Sequence, residues 1–143
     1  MSLESATPDL AERVRRVYEA TNRREFDAMV SVYGRGSVWD MTPMGLGTYE
    51  GPAAIRRFFE DWLGTFEEFK AEPEEILDLD GGVTLAVVDQ SGRPAGSDGH
   101  VQLRYAQVSI WLEGVAVRTT NYTDIDEARA AAERLAEERL RSR

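Results

Sequence analysis

Apolar positions in the first part of the chain recur at helical spacing. Leu10, Val14, Val17, Tyr18 and Thr21 share one face of a segment whose other face carries Arg13, Arg15 and Arg16, a solvated surface. Thr7-Pro8-Asp9-Leu10 reads as the start of this helix, with Thr7 as N-cap, Pro8 at the first helical position and an acid in the first turn. After Asn22-Arg23-Arg24, a second helix is predicted from Glu25 to Tyr33, with Phe26, Met29, Val30 and Tyr33 inward and Gly34 and Gly36 ending it. Ser37 to Met41 then reads as a short strand, and alternation puts Val38 and Asp40 on one face and Trp39 on the other. A glycine-rich turn, Met44 to Gly51, leads into a third helix from Pro52 to Trp62. Ile55, Phe58, Phe59, Trp62 and Phe66 form an aromatic stripe there, mostly core, with one or two positions free to line a cavity.

Beyond Trp62 the period falls to two. Phe66 to Asp80 reads as a long strand in which Pro73 marks a bulge or an edge, because proline cannot donate to a ladder. Asp80-Gly81-Gly82 is a hairpin turn, Val83 to Gln90 a second strand, and Ser91 to Gly99 a mobile polar loop. His100 to Leu112 and Val115 to Thr123 are the last two strands, joined by Glu113-Gly114. Asp124, with Glu127 three residues on, reads as a capping box that opens a final helix. That helix spans 125–143, carries Ile125, Ala128, Ala132, Leu135 and Ala136 on a weak apolar stripe, and is expected to fray at its end. Residues 1–6 are expected to be flexible.

The strand from His100 has two mixed faces. One carries His100, Gln102, Arg104, Ala106, Val108 and Ile110; the other carries Val101, Leu103, Tyr105, Gln107, Ser109 and Trp111. A cavity on one side and a subunit interface on the other would account for this, as would a twisted strand whose ends differ in exposure. Helices followed by an antiparallel meander predict an α+β domain with helices on one face of the sheet.

Composition narrows the function classes. A chain of 143 residues suits one domain with a substantial core, and a net charge of −9 opposes binding to nucleic acid or to anionic membrane. There is no cysteine, so disulfides, thiolate nucleophiles and cysteine-ligated metals are excluded; the single histidine, His100, excludes a multi-histidine site and reads as exposed. No acidic cluster at ligand spacing suggests magnesium, so neither metal nor cofactor is expected. No apolar run reaches the roughly 18 residues of a membrane span, and the N-terminus lacks a basic region followed by an apolar one. With the absence of cysteine, this points to the cytoplasm.

Several stretches resemble a known family. Arg13 to Arg23, Phe26-Asp27-Ala28-Met29, Val38-Trp39-Asp40, Tyr49 to Trp62, Ala106-Gln107-Val108 and Glu113-Gly114-Val115 follow in the order and spacing of the nuclear transport factor 2-like superfamily, in its SnoaL-like or ketosteroid isomerase-like branch. The resemblance implies a conical barrel: a strongly curved, mostly antiparallel sheet packed on N-terminal helices, with a C-terminal helix added and a deep pocket inside. It also implies a homodimer through the outer sheet face, for which Tyr105, Gln107 and Trp111 are the expected contacts. The superfamily spans isomerases, polyketide cyclases, epoxide hydrolases and binding modules, so fold alone does not choose among them.

By this resemblance Asp40 falls where ketosteroid isomerases keep a proton-shuttling carboxylate, and Tyr18 lies close to their oxyanion-hole tyrosine. Their second, protonated acid is matched by Ala106, which cannot donate a hydrogen bond and so argues against steroid-type isomerisation. Thr120-Asn121-Tyr122 stands where limonene epoxide hydrolase-like members resemble Arg-Asp-Tyr. Asn121 thus replaces an acid on which the SnoaL-type cyclases also rely.

The candidate catalytic residues are therefore Asp40, Tyr18 and Asn121. Val38, Met44, Phe59, Trp62, Arg104, Ala106, Val108 and Thr119 are the candidates for ligand contact. Two readings of Asp40 stand: a general base whose pKa desolvation raises, or a hydrogen-bonded residue at a strand end. On the first reading, Asp40→Asn would be neutral or stabilising. Arg104 is either an anion clamp or the partner of a nearby acid. The expected function is a cofactor-free pocket for a small, apolar, ring-containing carbonyl compound. Catalysis would be of the isomerase or cyclase type, with Asp40 moving a proton and Tyr18 or Asn121 facing the oxyanion. The alternative is a non-catalytic ligand-binding or interaction domain of the same fold.

Overall fold

The computed structural model describes residues 9–142. The elements, in chain order, are α1 (Leu10–Asn22), α2 (Phe26–Val30), β1 (Val38–Asp40), a 3-10 turn (Thr42–Met44), β2 (Thr48–Glu50), α3 (Pro52–Gly64), β3 (Phe66–Asp78), β4 (Val83–Pro94), β5 (Val101–Leu112), β6 (Val115–Tyr122) and α4 (Ile125–Arg141). The sheet has six strands in the order β2-β1-β6-β5-β4-β3. Every neighbouring pair is antiparallel except β1 and β6, which run parallel. The strands curl around α1, α2 and α3, which gives the expected α+β conical barrel.

Local chemistry explains most boundaries. The N-cap of α1 is Asp9, whose carboxylate accepts from Glu12 N at 3.1 Å. Thr7 and Pro8, expected as cap and first helical residue, lie outside the described residues. Asp124 caps α4 as expected, accepting from Glu127 N at 3.0 Å. Pro73 coincides with a register shift between Pro73 and Glu75 in the β3–β4 ladder. Glu113 and Gly114, both at positive φ (52° and 81°), make the tight turn whose twist suits a two-residue hairpin.

Three boundaries differ from expectation. The helix of α2 stops at Val30, three residues before Tyr33. Thr48 to Glu50 is a short strand paired with β1 rather than part of a turn. The expected loop at Ser91 is strand as far as Pro94, because β3 continues alongside and pairs Lys70 with Ser91 and Phe69 with Gly92. Gly92 serves packing here: a Cβ at that position would stand 2.7 Å from the Phe66 ring. Its lack of a side chain lets the aromatic lie across the strand.

Both faces of the sheet are covered. On the concave face, Leu10, Val14 and Tyr18 of α1 pack on Ala71, Ala86, Val88 and Tyr105, while Met29, Ile55, Phe59 and Leu63 pack around Trp39. On the convex face, Ala128, Ala132 and Ala136 of α4 pack on Val83, Leu85, Val87, Ala106 and Val108. The run Val83 to Val88 is buried throughout, as a strand sandwiched between two layers should be. Alanines on the inner side of α4 let the helix backbone come close to the sheet.

At the rim of the concave layer, the Asn22 side chain clasps the backbone of Ala71 in β3. It donates to the Ala71 carbonyl at 2.8 Å and accepts from the Ala71 N–H at 2.7 Å. Arg24, at φ 57°, reaches from the following turn to the carbonyls of Leu63 and Phe66, both at 2.9 Å. It thereby ties the end of α1 to the end of α3.

This layering corrects the reading of β5. Tyr105, Gln107 and Trp111 face the concave side, so they cannot form an outer subunit contact. Ala106 and Val108 take the opposite face, under α4. The alternation was read correctly; the side on which the helices dock was not.

Filling the α4 seam tests this arrangement. Ala132 is fully buried against the sheet (0% exposed), whereas Ala130 is exposed on the same helix. Ala132→Leu should lower unfolding free energy by about 1–3 kcal/mol through overpacking. Ala130→Leu should change it by less than about 0.5 kcal/mol. Urea unfolding of both variants checks this, and equal effects would mean that α4 does not pack as described.

Candidate functional site

Between the helices and the concave face of the sheet lies a partly open cavity of about 90 Å³. A space of this order admits a small ring compound. Its helix side is formed by Tyr18 and Thr21 of α1 and by Phe58, Phe59 and Trp62 of α3. Its sheet side presents Trp39, Gln90, Tyr105, Gln107 and Asn121. Met44 and the half-exposed Leu46, both next to Gly45, stand at the mouth.

The aromatic wall is continuous. Trp39 meets Phe59 edge-on with ring centroids 4.9 Å apart, and Phe58 stacks on Trp62 at 6.2 Å. Such contacts add to simple area burial and fix the ring orientations. Trp39 is 4% exposed, and its Nε1 is the single sealed side-chain polar atom without a partner among the described residues.

A chain of hydrogen bonds crosses the polar part of the cavity. The Tyr18 hydroxyl donates to Gln107 Oε1. Gln107 Nε2 donates to Asn121 Oδ1 at 2.9 Å, and Asn121 Nδ2 donates to the main-chain carbonyl of Asp40 at 3.2 Å. Asn121 is 1% exposed, so its amide must be satisfied internally, and this chain satisfies it. The chain links α1, β5, β6 and β1, so its first effect is to hold the cavity walls in register. Gln90 and Tyr105 differ, since neither side chain takes part in any hydrogen bond among the described residues.

None of the described residues that line the cavity carries a charge at neutral pH. Burial pushes the Tyr18 hydroxyl well above its ordinary range, and the neighbouring Tyr105 and Tyr33 add to this. Burial also raises Tyr33, less a contribution from Thr119 beside it, and burial then Tyr33 raise Tyr105. These phenols stay protonated, so they are available as hydrogen-bond donors and not as bases.

Asp40 is not in the cavity. Register pairs Trp39 with Thr119 and Asp40 with Thr120, and the alternation that turns Trp39 inward turns Asp40 to the convex side. There its carboxylate accepts from Thr42 N at 2.8 Å, Thr42 Oγ1 at 2.7 Å and Arg118 Nη2 at 2.6 Å. Burial by itself would raise its pKa, but the two Thr42 bonds and the Arg118 guanidinium outweigh that and hold it below 3.8. The expectation of a raised pKa is therefore overturned. Asp40 is the hydrogen-bonded strand-end residue of the second reading.

Of the other candidates, Tyr18, Asn121, Met44, Phe59 and Trp62 do line the cavity. Thr119 borders a smaller adjoining cavity and bonds Ser109 at 2.9 Å. Val38 shares the outward parity of Asp40. Arg104 is outside too, paired with Glu74 at 2.6 Å, and Ala106 and Val108 lie beneath α4. Among the lining residues missed are Trp39, Gln90, Tyr105 and Gln107. Their signal was parity: Trp39 and Met41 are the larger apolar pair of their segment, and Leu103 and Tyr105 the more apolar side of theirs.

Fold and cavity together define the class as a nuclear transport factor 2-like α+β barrel with an internal pocket. Within that class the chain belongs to the SnoaL-like domain family, which matches residues 14–118. No curated protein matches the sequence significantly. Among solved structures, a hypothetical protein with a ketosteroid isomerase-like fold from Catenulispora acidiphila, in complex with trimethylamine, superposes with a TM-score of 0.70. That match has 12% identity and covers 85% of this chain and 92% of the other. A putative SnoaL-like polyketide cyclase from Shewanella putrefaciens gives 0.67 at 10% identity, over 88% and 96% of the two chains. An epoxide hydrolase of the LEH-like type from M. tuberculosis gives 0.67 at 17%, over 87% and 89%. At these identities the likeness is one of fold.

Replacing Asp40 separates structure from chemistry. Asp40→Asn should destabilise the protein by about 1–3 kcal/mol at pH 7, because charge-assisted bonds to Thr42 and Arg118 are lost or weakened. Since the folded-state pKa lies below the unfolded one, this contribution is complete above about pH 4 and disappears as pH falls through the lowered value. Urea unfolding of wild type and variant at neutral and acid pH measures both effects. A neutral or stabilising substitution at pH 7 would refute the assignment.

Proposed function

We propose that this protein binds an uncharged, ring-containing small molecule in the cavity between α3 and the sheet, and does so without proton transfer by Asp40. The observation that carries this reading is a pocket walled by aromatic rings and neutral amides, with no carboxylate, imidazole, amine or guanidinium among the described residues that line it. Binding would come from ring burial against Phe58, Phe59 and Trp62, at about 25 cal/mol per Å² of apolar area removed from water. A charged ligand would lose much of its hydration and find no counter-charge, which is costly in an apolar site. A proton-transfer enzyme needs a group poised near the working pH within reach of the substrate. Here Asp40 lies on the other face of the sheet, and the tyrosines are shifted away from neutrality. The binding-domain alternative is thus favoured over the isomerase or cyclase reading.

Calorimetric titration tests the proposal. Toluene and acetophenone should bind, while benzoate and benzylammonium should bind at least about tenfold more weakly. Affinity for the neutral compounds should be flat from about pH 5 to pH 9, because no lining group titrates in that window. Preference for a charged compound, or turnover of acetophenone-type ketones with an inflection near neutrality, would overturn it.

A further inference from the structure

The cavity contains two kinds of polar group, and they differ in what they leave unused. Gln107 and Asn121 are occupied by one another, by Tyr18 and by the Asp40 carbonyl. The Trp39 N–H lacks a partner but is sealed by protein on all sides. Gln90 and Tyr105 are buried to 6% and 9% exposure, line the cavity, and are not among the sealed atoms, so their amide and hydroxyl, unpaired among the described residues, open onto the void.

The ladder places these two side chains together. In the β4–β5 register Gln90 is opposite Leu103 and Val88 is opposite Tyr105. Gln90 and Tyr105 are therefore diagonal neighbours on the concave face, within reach of one small group. Trp62, Leu63 and Phe69 line the same cavity and supply apolar wall for a ring. A buried amide and a buried phenol without partners are costly, and a ligand that satisfies both recovers that cost.

We propose that Gln90 and Tyr105 are the specificity-determining pair of the cavity and select a ring compound bearing a hydroxyl group. This rests on the neutral-ligand reading above and names the polar group that such a ligand carries. The reasoning is one of donor and acceptor count. A hydroxyl donates to Gln90 Oε1 and at the same time accepts from the Tyr105 O–H. A ketone oxygen only accepts and would leave Gln90 Oε1 unpaired. A methyl group in the same place satisfies neither.

Phenol and toluene, which differ by hydroxyl against methyl, are the probes. Wild type should bind phenol at least about tenfold more tightly than toluene, against the order a purely apolar pocket would give. Gln90→Leu and Tyr105→Phe should each reduce or invert that ratio, while toluene affinity stays within about threefold. Thermal unfolding of each variant verifies folding, and the wild-type ratio stands as a test that needs no variant. If neither compound binds wild type, the neutral-ligand reading itself fails. If toluene binds as well as phenol, or both folded variants keep the wild-type ratio, the pair is not the selector although the pocket reading survives.

Discussion

The constraint on which the rest depends is the twofold alternation of strands in a sheet covered on both sides. Once α1, α2 and α3 occupy one face and α4 the other, each strand residue belongs either to the cavity layer or to the α4 layer. Trp39 and Asp40 show how much follows from this. The indole takes the cavity position, where it packs on Phe59, and the carboxylate is turned to a rim where Thr42 and Arg118 can pair it. A shift of one residue would place a charge among aromatic rings and an indole at the surface, and the two penalties together fix the register.

The polar interior is the second organising feature. A cavity lined only by hydrocarbon could close by repacking, but the Tyr18–Gln107–Asn121 chain spans elements distant in sequence and holds them apart at defined separations. Such a network specifies a single arrangement because a partial rearrangement would leave buried amides unpaired. The chemistry of the pocket follows from the same economy of charge: its ionisable side chains are phenols, and burial keeps them neutral.

What could be read from the chain was what depends on neighbours in sequence. The stripes of α1 and α3, the Asp124 cap, the Pro73 irregularity and the turn at Glu113-Gly114 all obey local rules and are found where expected. Tyr18 and Asn121, which do line the cavity, came instead from the family resemblance, one near the position of an oxyanion-hole tyrosine and one in place of an acid. The inward side of β1 and β5 was not legible, because alternation divides residues into two sets without saying which set meets the helices. The run Val83 to Val88, apolar but for Thr84, held part of the answer: it requires a cover on both faces and so assigns α4 to the outer one. Ser91 to Pro94 was misread because Gly92 carries a loop-like signal that in fact accommodates the ring of Phe66.

The clasp between Asn22 and Ala71 has a consequence for how these molecules meet one another. β3 is the last strand on its side of the sheet, so the outward N–H and C=O groups of its backbone are open to pairing with any extended chain. By presenting a carboxamide to both groups of Ala71, Asn22 imitates a further strand for one residue, and Pro73 nearby withholds a donor altogether. Charged side chains at Glu68, Lys70 and Glu72 make the approach of a second edge less favourable still. The margin formed by β3 is thereby made a poor template for edge-to-edge pairing with a second extended chain.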